Sequence, residues 1–365
     1  MKDFSMPSCR LFALQDIRHC TFRQLSASFF KMKIDCHVHL FCLSEESGGY
    51  TRLGPLYRWL EPVVRRKLMV QAARTPRERE HLHIQRIAEQ VMDSELDRAT
   101  VLAFDQVYCR DGSLDRRRSR YYVPNRFAKD AVRSYPEALL FGASVHPYRA
   151  DALEKLAEVK AEGAVLVKLL PNSHGFDPAD PALRPYFRTL ADLKLPLLLH
   201  GGFEHTIPVS NQTFGDPTRF RSALDAGVTL IVAHAGSAGR FHRRETFGHF
   251  LKLLDTYSNC FGDTAALAAY WRSKYLGLLM DPEALERRFG AAVSNPFERL
   301  IHGSDYPIPI SPRAFGRSVP RTLKSTLGNR QNLLQADVSL KRLVGVPDSC
   351  LERAHDVLGL GHQGG

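Results

Sequence analysis

From residue 33 onward the chain repeats one pattern: a short apolar run of strand character, then a stretch with helical spacing. The runs are KIDCHV (33–38), ATVLAF (99–104), LLFGASV (139–145), AVLVKLL (164–170), LPLLLH (195–200), VTLIVAH (228–234), NCFGDT (259–264) and RLIHGS (299–304). Between them, residues 77–99 place Ile84, Ile87, Ala88, Val91 and Leu96 on one side of a helix. DALEKLAEVKAEG, PALRPYFRTLADLK, DPTRFRSALDAG and RRETFGHFLKLLDTYS have the same spacing. Eight strand–helix units over about 330 residues predict an α/β chain folded as a single (β/α)8 TIM barrel. The competing architecture, a doubly wound open sheet, wants a Gly-rich phosphate loop after its first strand, and none is present. The long segment 41–98 after the first strand predicts a helical insertion covering one side of the barrel mouth.

The barrel reading assigns residues 32–365 to one domain. Residues 1–31 lack an apolar h-region and a clear cleavage site, so they read poorly as a secretory signal. We read them as an N-terminal extension, poorly ordered or arising from an over-extended start, because Met32 stands directly before the first strand. No segment approaches the ~18 apolar residues of a membrane span. Seven cysteines with no CxxC spacing argue for reduced thiols and a cytoplasmic setting. The net charge of +11 gathers in VVRRK, RDGSLDRRRSR and RFHRR. No aromatic interleaving or DNA-binding motif accompanies these runs, so they predict a solvated basic face or steering of an anionic substrate rather than nucleic-acid binding.

Polar residues then fall where a barrel builds its active site, at the C-terminal ends of the strands. The first strand carries Asp35, His37 and His39 on alternate positions, and strict alternation sets all three on the face opposite Ile34 and Cys36. Lys168 is late in the fourth strand, His200 ends the fifth, His234 ends the sixth, Asp263 is late in the seventh and Asp305 follows the eighth. Singly, each has a plain reading as a hydrogen-bonded core group or a turn cap. Six of eight strands delivering such a side chain to one rim is not explained that way. Imidazoles with a carboxylate suit a Zn²⁺-like divalent ion with a position open to water. Such an ion lowers the water's pKa from ~15.7 toward ~7, and a neighbouring carboxylate can carry the proton.

The ordered motifs DCHVH, VKLLPNSHGFDPADPALRPYF, LPLLLHGG, VAHAGS and HGSDYP resemble the amidohydrolase superfamily, and the tail RAHDVLGL is similar to its closing helix. The nearest branch is that of the TIM-barrel metal-dependent hydrolases, which also holds aminocarboxymuconate-semialdehyde-type decarboxylases and dicarboxylate lactonases. The resemblance spans roughly residues 33–360. It implies that His37, His39, His200 and Asp305 bind one divalent metal, Zn²⁺ first and Mn²⁺, Fe²⁺ or Co²⁺ as substitutes. It implies that Asp305 doubles as a proton shuttle and that His234 is catalytic or polarises the substrate. A strand-four lysine bridges two metals as its carbamate in binuclear relatives; here Lys168 is expected instead to serve a substrate carboxylate or a structural partner.

Further substrate-binding candidates are His146, at the end of the third strand, and Glu204 and His205, in the Gly/Pro-rich loop after the fifth. Gly201 and Gly202 would admit a ligand close to the backbone. Arg149, Arg240 and Arg243 are lesser candidates for anion binding, Asp263 a supporting rim residue, and His302 structural. The expected activity is hydrolysis of an amide, lactone or ester of a small anionic substrate. The rivals are a metal-dependent non-oxidative decarboxylase on the same scaffold and a non-catalytic, ligand-binding barrel. The resemblance also implies a homodimer, although no interface signature stands out.

Overall fold

Strands buried on both faces need no polar alternation, and LVKL, LLLH and LIVA show almost none. In the computed structural model, which describes residues 31–52, 68, 70–241, 243–290, 295–328 and 331–362, these segments are parallel strands of one sheet. The expected extension at the N-terminus lies outside the described residues, apart from Lys31. The strands run β1 (Ile34–His39), β2 (Arg98–Leu102), β3 (Leu139–Ala143), β4 (Leu166–Leu169), β5 (Leu197–His200), β6 (Leu230–Ala233), β7 (Cys260–Asp263) and β8 (Leu300–Ile301). Each neighbours the next in sequence order. The ring closes through the backbone after β8: Cys36 N–H donates to His302 O (3.0 Å), Asp305 N–H to His37 O (3.0 Å) and His39 N–H to Tyr306 O (2.9 Å). The eight-stranded barrel is therefore the one expected from the alternation of runs.

Helices between the strands bury their apolar faces on the outside of this ring. Residues 151–163 fold as the helix Ala152–Ala161, and 243–258 contain Thr246–Thr256. Inside the barrel, Ile34, Cys36, Leu102, Leu166, Leu198, Ile231 and Ile301 form a separate cluster. Ala354 and Leu358, in and just after the helix Ser349–Val357, pack against the same cluster.

The first strand departs from simple alternation. Asp35 pairs with Ala99 but Val38 with Val101, so three residues of β1 span two of β2. Such a bulge re-aims side chains. Ile34 and Cys36 pack in the interior cluster, yet His37 reaches the interior as well, to Lys168. The expectation that the three polar groups would share a face opposite Ile34 and Cys36 fails for this reason.

The insertion after β1 carries the helix Pro76–Met92, started by a Thr75–Glu78 capping box. The helix ends before Leu96, which the spacing had included. His83, on that helix, meets His39 O at 3.2 Å and stacks on Phe41 and Tyr306. The insertion thus lies against the C-terminal end of β1, as expected for a cover beside the mouth. No described helix is long and apolar enough to cross a membrane, and Cys36, Cys42, Cys109, Cys260 and Cys350 are free.

Candidate active site

The strand ends bring two overlapping donor groups together: His37, His39 and Asp305, and His37, His234 and Asp263, each with ligand atoms within 4.8 Å of one another. In the first, Asp305 Oδ1 lies 3.0 Å from His39 Nε2 and 3.4 Å from His37 Nε2. Both histidines thus aim the same ring nitrogen at one carboxylate oxygen. Asp305 itself is set by a left-handed backbone (φ 63°).

Asp263 works behind His37. Its Oδ2 lies 2.7 Å from His37 Nδ1, while Oδ1 accepts the backbone N–H groups of His234 (2.6 Å) and Ala265 (3.1 Å). With Nδ1–H donated to this carboxylate, the Nε2 lone pair is left for a ligand. At present it faces Lys168 Nζ at 3.2 Å. Lys168, expected to serve a substrate carboxylate or a structural partner, thus stands beside one of the donor atoms.

His200 and His234 form a second imidazole pair, His234 Nε2 to His200 Nδ1 at 3.2 Å. His234 Nδ1 donates to Ala265 O (3.1 Å), and Asp305 Oδ2 stands 3.9 Å from that nitrogen. The structure groups His37, His39 and Asp305 tightly and sets His200 against His234, outside that group.

Protonation favours ligation. Burial drives His37 well below the usual imidazole range, with the Lys168 charge adding to it. Burial likewise takes His200 down to about 3 and His234 well below its ordinary value. Neutral imidazole is the form that coordinates. For Asp305, burial acts to raise the pKa, but His37, His39 and Lys168 outweigh it and hold the carboxyl below its usual range. Burial lowers Lys168 to about 8 against the pull of Asp263 and Asp305. Two or three neutral imidazoles beside an ionised carboxylate suit a divalent cation.

The other substrate candidates divide. Glu204 is buried, with Oε1 accepting the N–H groups of Thr206 and Ile207 and Oε2 3.6 Å from His200 Nδ1. His205 is exposed. His146 is buried, and both its ring nitrogens serve the backbone: Nε2 donates to His174 O, and Nδ1 accepts from Tyr148 N–H. It offers a ligand neither nitrogen, contrary to the expectation for it. The loop after β5 is tied down by Gln212, which bonds Glu204 and Asn172. Gly201 and Gly202 are needed by the protein itself, because a Cβ on Gly202 (φ 92°) would lie 2.0 Å from Ser237 O.

Arg272 is the site residue that sequence reasoning missed. It is buried, and its Nη1 donates to Ser237 O and Oγ, both at 2.8 Å. Burial lowers its pKa, while Asp305, Glu204 and Asp263 pull the other way, so the guanidinium lies in their field. No spacing marks it in AAYWRSKY; only its position after β7 points to the rim. Arg149 is engaged by Asp105, Asp151 and Tyr108, and Arg240 is exposed beside Glu245.

Comparison with known proteins bears on the fold and the family. The solved structure of an uncharacterised TIM-barrel protein from Bordetella bronchiseptica is similar at 14% identity and a TM-score of 0.53, covering 90% of this chain and 100% of that one. A candidate 2-pyrone-4,6-dicarboxylic acid hydrolase from Pseudomonas putida is similar at 16% identity and a TM-score of 0.49, covering 90% and 98%. A 2,6-dihydroxybenzoate decarboxylase from Rhizobium is similar at 14% and 0.46, covering 91% and 99%. The first supports the barrel fold, and none bears on the reaction. No curated protein matches the chain. The family model described as Amidohydrolase matches residues 34–323, a span from β1 past Asp305, and the chain belongs to the amidohydrolase family.

Proposed function

We propose that this protein is a metal-dependent hydrolase that cleaves an amide, lactone or ester bond in a small anionic substrate. The observation that carries the reading is the convergence of His37 Nε2, His39 Nε2 and Asp305 Oδ1, with Asp263 holding the His37 tautomer. In this reading His37, His39, His200 and Asp305 hold one divalent ion, Zn²⁺ before Mn²⁺, Fe²⁺ or Co²⁺. The ion supplies Lewis acidity, which makes water nucleophilic near neutral pH.

The protein's own groups do the rest. Asp305, kept ionised, accepts the proton from the attacking water at a carboxylate oxygen and returns it to the leaving group. His234, whose Nδ1–H is held by Ala265 O and whose neutral ring leaves a lone pair on Nε2 beside His200, serves as a proton acceptor next to the reacting centre. The Arg272 guanidinium and the Lys168 ammonium supply positive charge for a substrate carboxylate. Glu204, with one oxygen fixed by the backbone, faces His200 and steadies that ring.

The test is a panel of lactones, esters and amides bearing a carboxylate, run beside carboxylated aromatics, with products identified by mass. Hydrolysis gives products that together contain one added water, and Asp305→Asn abolishes it. Release of CO₂ without net addition of water contradicts the reading and favours a decarboxylase.

A further inference from the structure

The arginine run of residues 110–120 has no role in the reading above. Part of it lines a groove of about 430 Å³ walled by Arg52, Arg117, Arg118 and Arg120, with Ser173 and Ser210 on the same lining. Two elements set it up. Tyr50–Thr51 pairs antiparallel with Tyr121–Tyr122, and the bond from Arg52 N–H to Arg120 O (2.7 Å) fixes these two arginines side by side. Across the groove, Ser210 N–H donates to Asn172 O (2.8 Å), joining the loop after β5 to the short helix Pro171–His174 after β4.

The charges are poorly balanced. Arg118 reaches Asp115 at 3.5 Å, Arg52 lies over the Tyr50 ring, and Arg120 Nε donates to Arg52 O. The Arg117 side chain has no hydrogen-bond or ion-pair partner among the described residues. Four guanidinium groups stand against one carboxylate among the described residues, and an anion joining them would offset their mutual repulsion. A second, independent sign is Ser173, which is 4% exposed and whose hydroxyl has no hydrogen-bond partner. A buried hydroxyl left without a partner costs free energy. Guanidinium forks with a hydroxyl are the donor set that carboxylates and phosphates accept from.

We propose that this groove binds the oxyanion group of a small molecule, a carboxylate or a phosphate. The groove shares the loop 201–215 with Glu204, so occupancy there bears on the loop that lines the site.

The experiment titrates the full-length protein with inorganic phosphate and with malonate by calorimetry at constant ionic strength. Wild type should bind one of them saturably at one site, and the tighter probe identifies phosphate or carboxylate as the class. The double variant R118Q/R120Q should weaken binding at least about tenfold, and R118K/R120K should fall between, because lysine keeps the charge but loses the fork. R117Q, which removes no bond within the described fold, should weaken binding with unchanged thermal stability. His39→Ala separates this claim from the metal reading: groove binding must survive it. Absence of saturable binding, equal affinity in the arginine variants, or binding lost only in His39→Ala would overturn the proposal. So would a single-stranded oligonucleotide that binds far more tightly than either small anion.

Discussion

His37 Nδ1 and Asp263 Oδ2 lie 2.7 Å apart with both side chains fully buried. The carboxylate accepts the Nδ1 proton and leaves Nε2 as the free lone pair beside Asp305. Asp263→Asn reverses this. Its carbonyl can still accept from the His234 and Ala265 N–H groups, but its amide then donates to Nδ1 and forces the proton onto Nε2. Metal affinity should fall about 10- to 100-fold with little change in thermal stability. Competition against a chromophoric chelator reads this directly, and unchanged affinity would remove Asp263 from the account.

Lys168 meets His37 through its Nζ, 3.2 Å from Nε2. A mononuclear centre predicts that Lys168→Met keeps its full metal content and that bicarbonate adds none to wild type. Elemental analysis checks both. A wild-type content of two ions, falling to one in Lys168→Met, would make the lysine a carbamylated bridge.

The barrel was legible because its signal is repeated. Eight apolar runs of strand length, each followed by helical spacing, leave few other packings; His39 and His200 end their strands as expected, Asp263 falls late in β7, and β6 stops at Ala233, just before His234. Local geometry was less legible. The β1 bulge depends on pairing with β2, so the sequence of β1 alone suggested plain alternation. Arg272 enters the site through Ser237, 35 residues earlier, and a contact between distant segments leaves no spacing to read. His146 looked like its neighbours at the strand ends, but backbone groups of His174 and Tyr148 claim both of its nitrogens.

Gly202 reports the packing of the loops after β5 and β6. Alanine there meets Ser237 O and must also hold a φ of 92°. Gly202→Ala should destabilise the protein by more than about 2 kcal/mol in urea unfolding. A loss below about 0.5 kcal/mol would mean the loops part easily.

Glu95 supplies a pH test of the fold, independent of the site. Hydrogen bonds from Arg342 lower its pKa to about 2 from 4.5, against burial and with help from Gln335. Between those values the folded protein binds fewer protons than the unfolded chain, so stability falls as pH drops from about 4.5 toward 2. Glu95→Gln should flatten that part of the stability profile. Equal slopes for variant and wild type would contradict the pairing.

The central claim is that His37, His39 and Asp305 converge to hold a divalent ion. Its most direct test is elemental analysis of wild type, His39→Ala and Asp305→Ala after reconstitution with Zn²⁺ and removal of excess. The account predicts about one ion per chain in wild type and a clear loss in both variants. A wild type that retains no ion, or variants that retain as much as wild type, would contradict it.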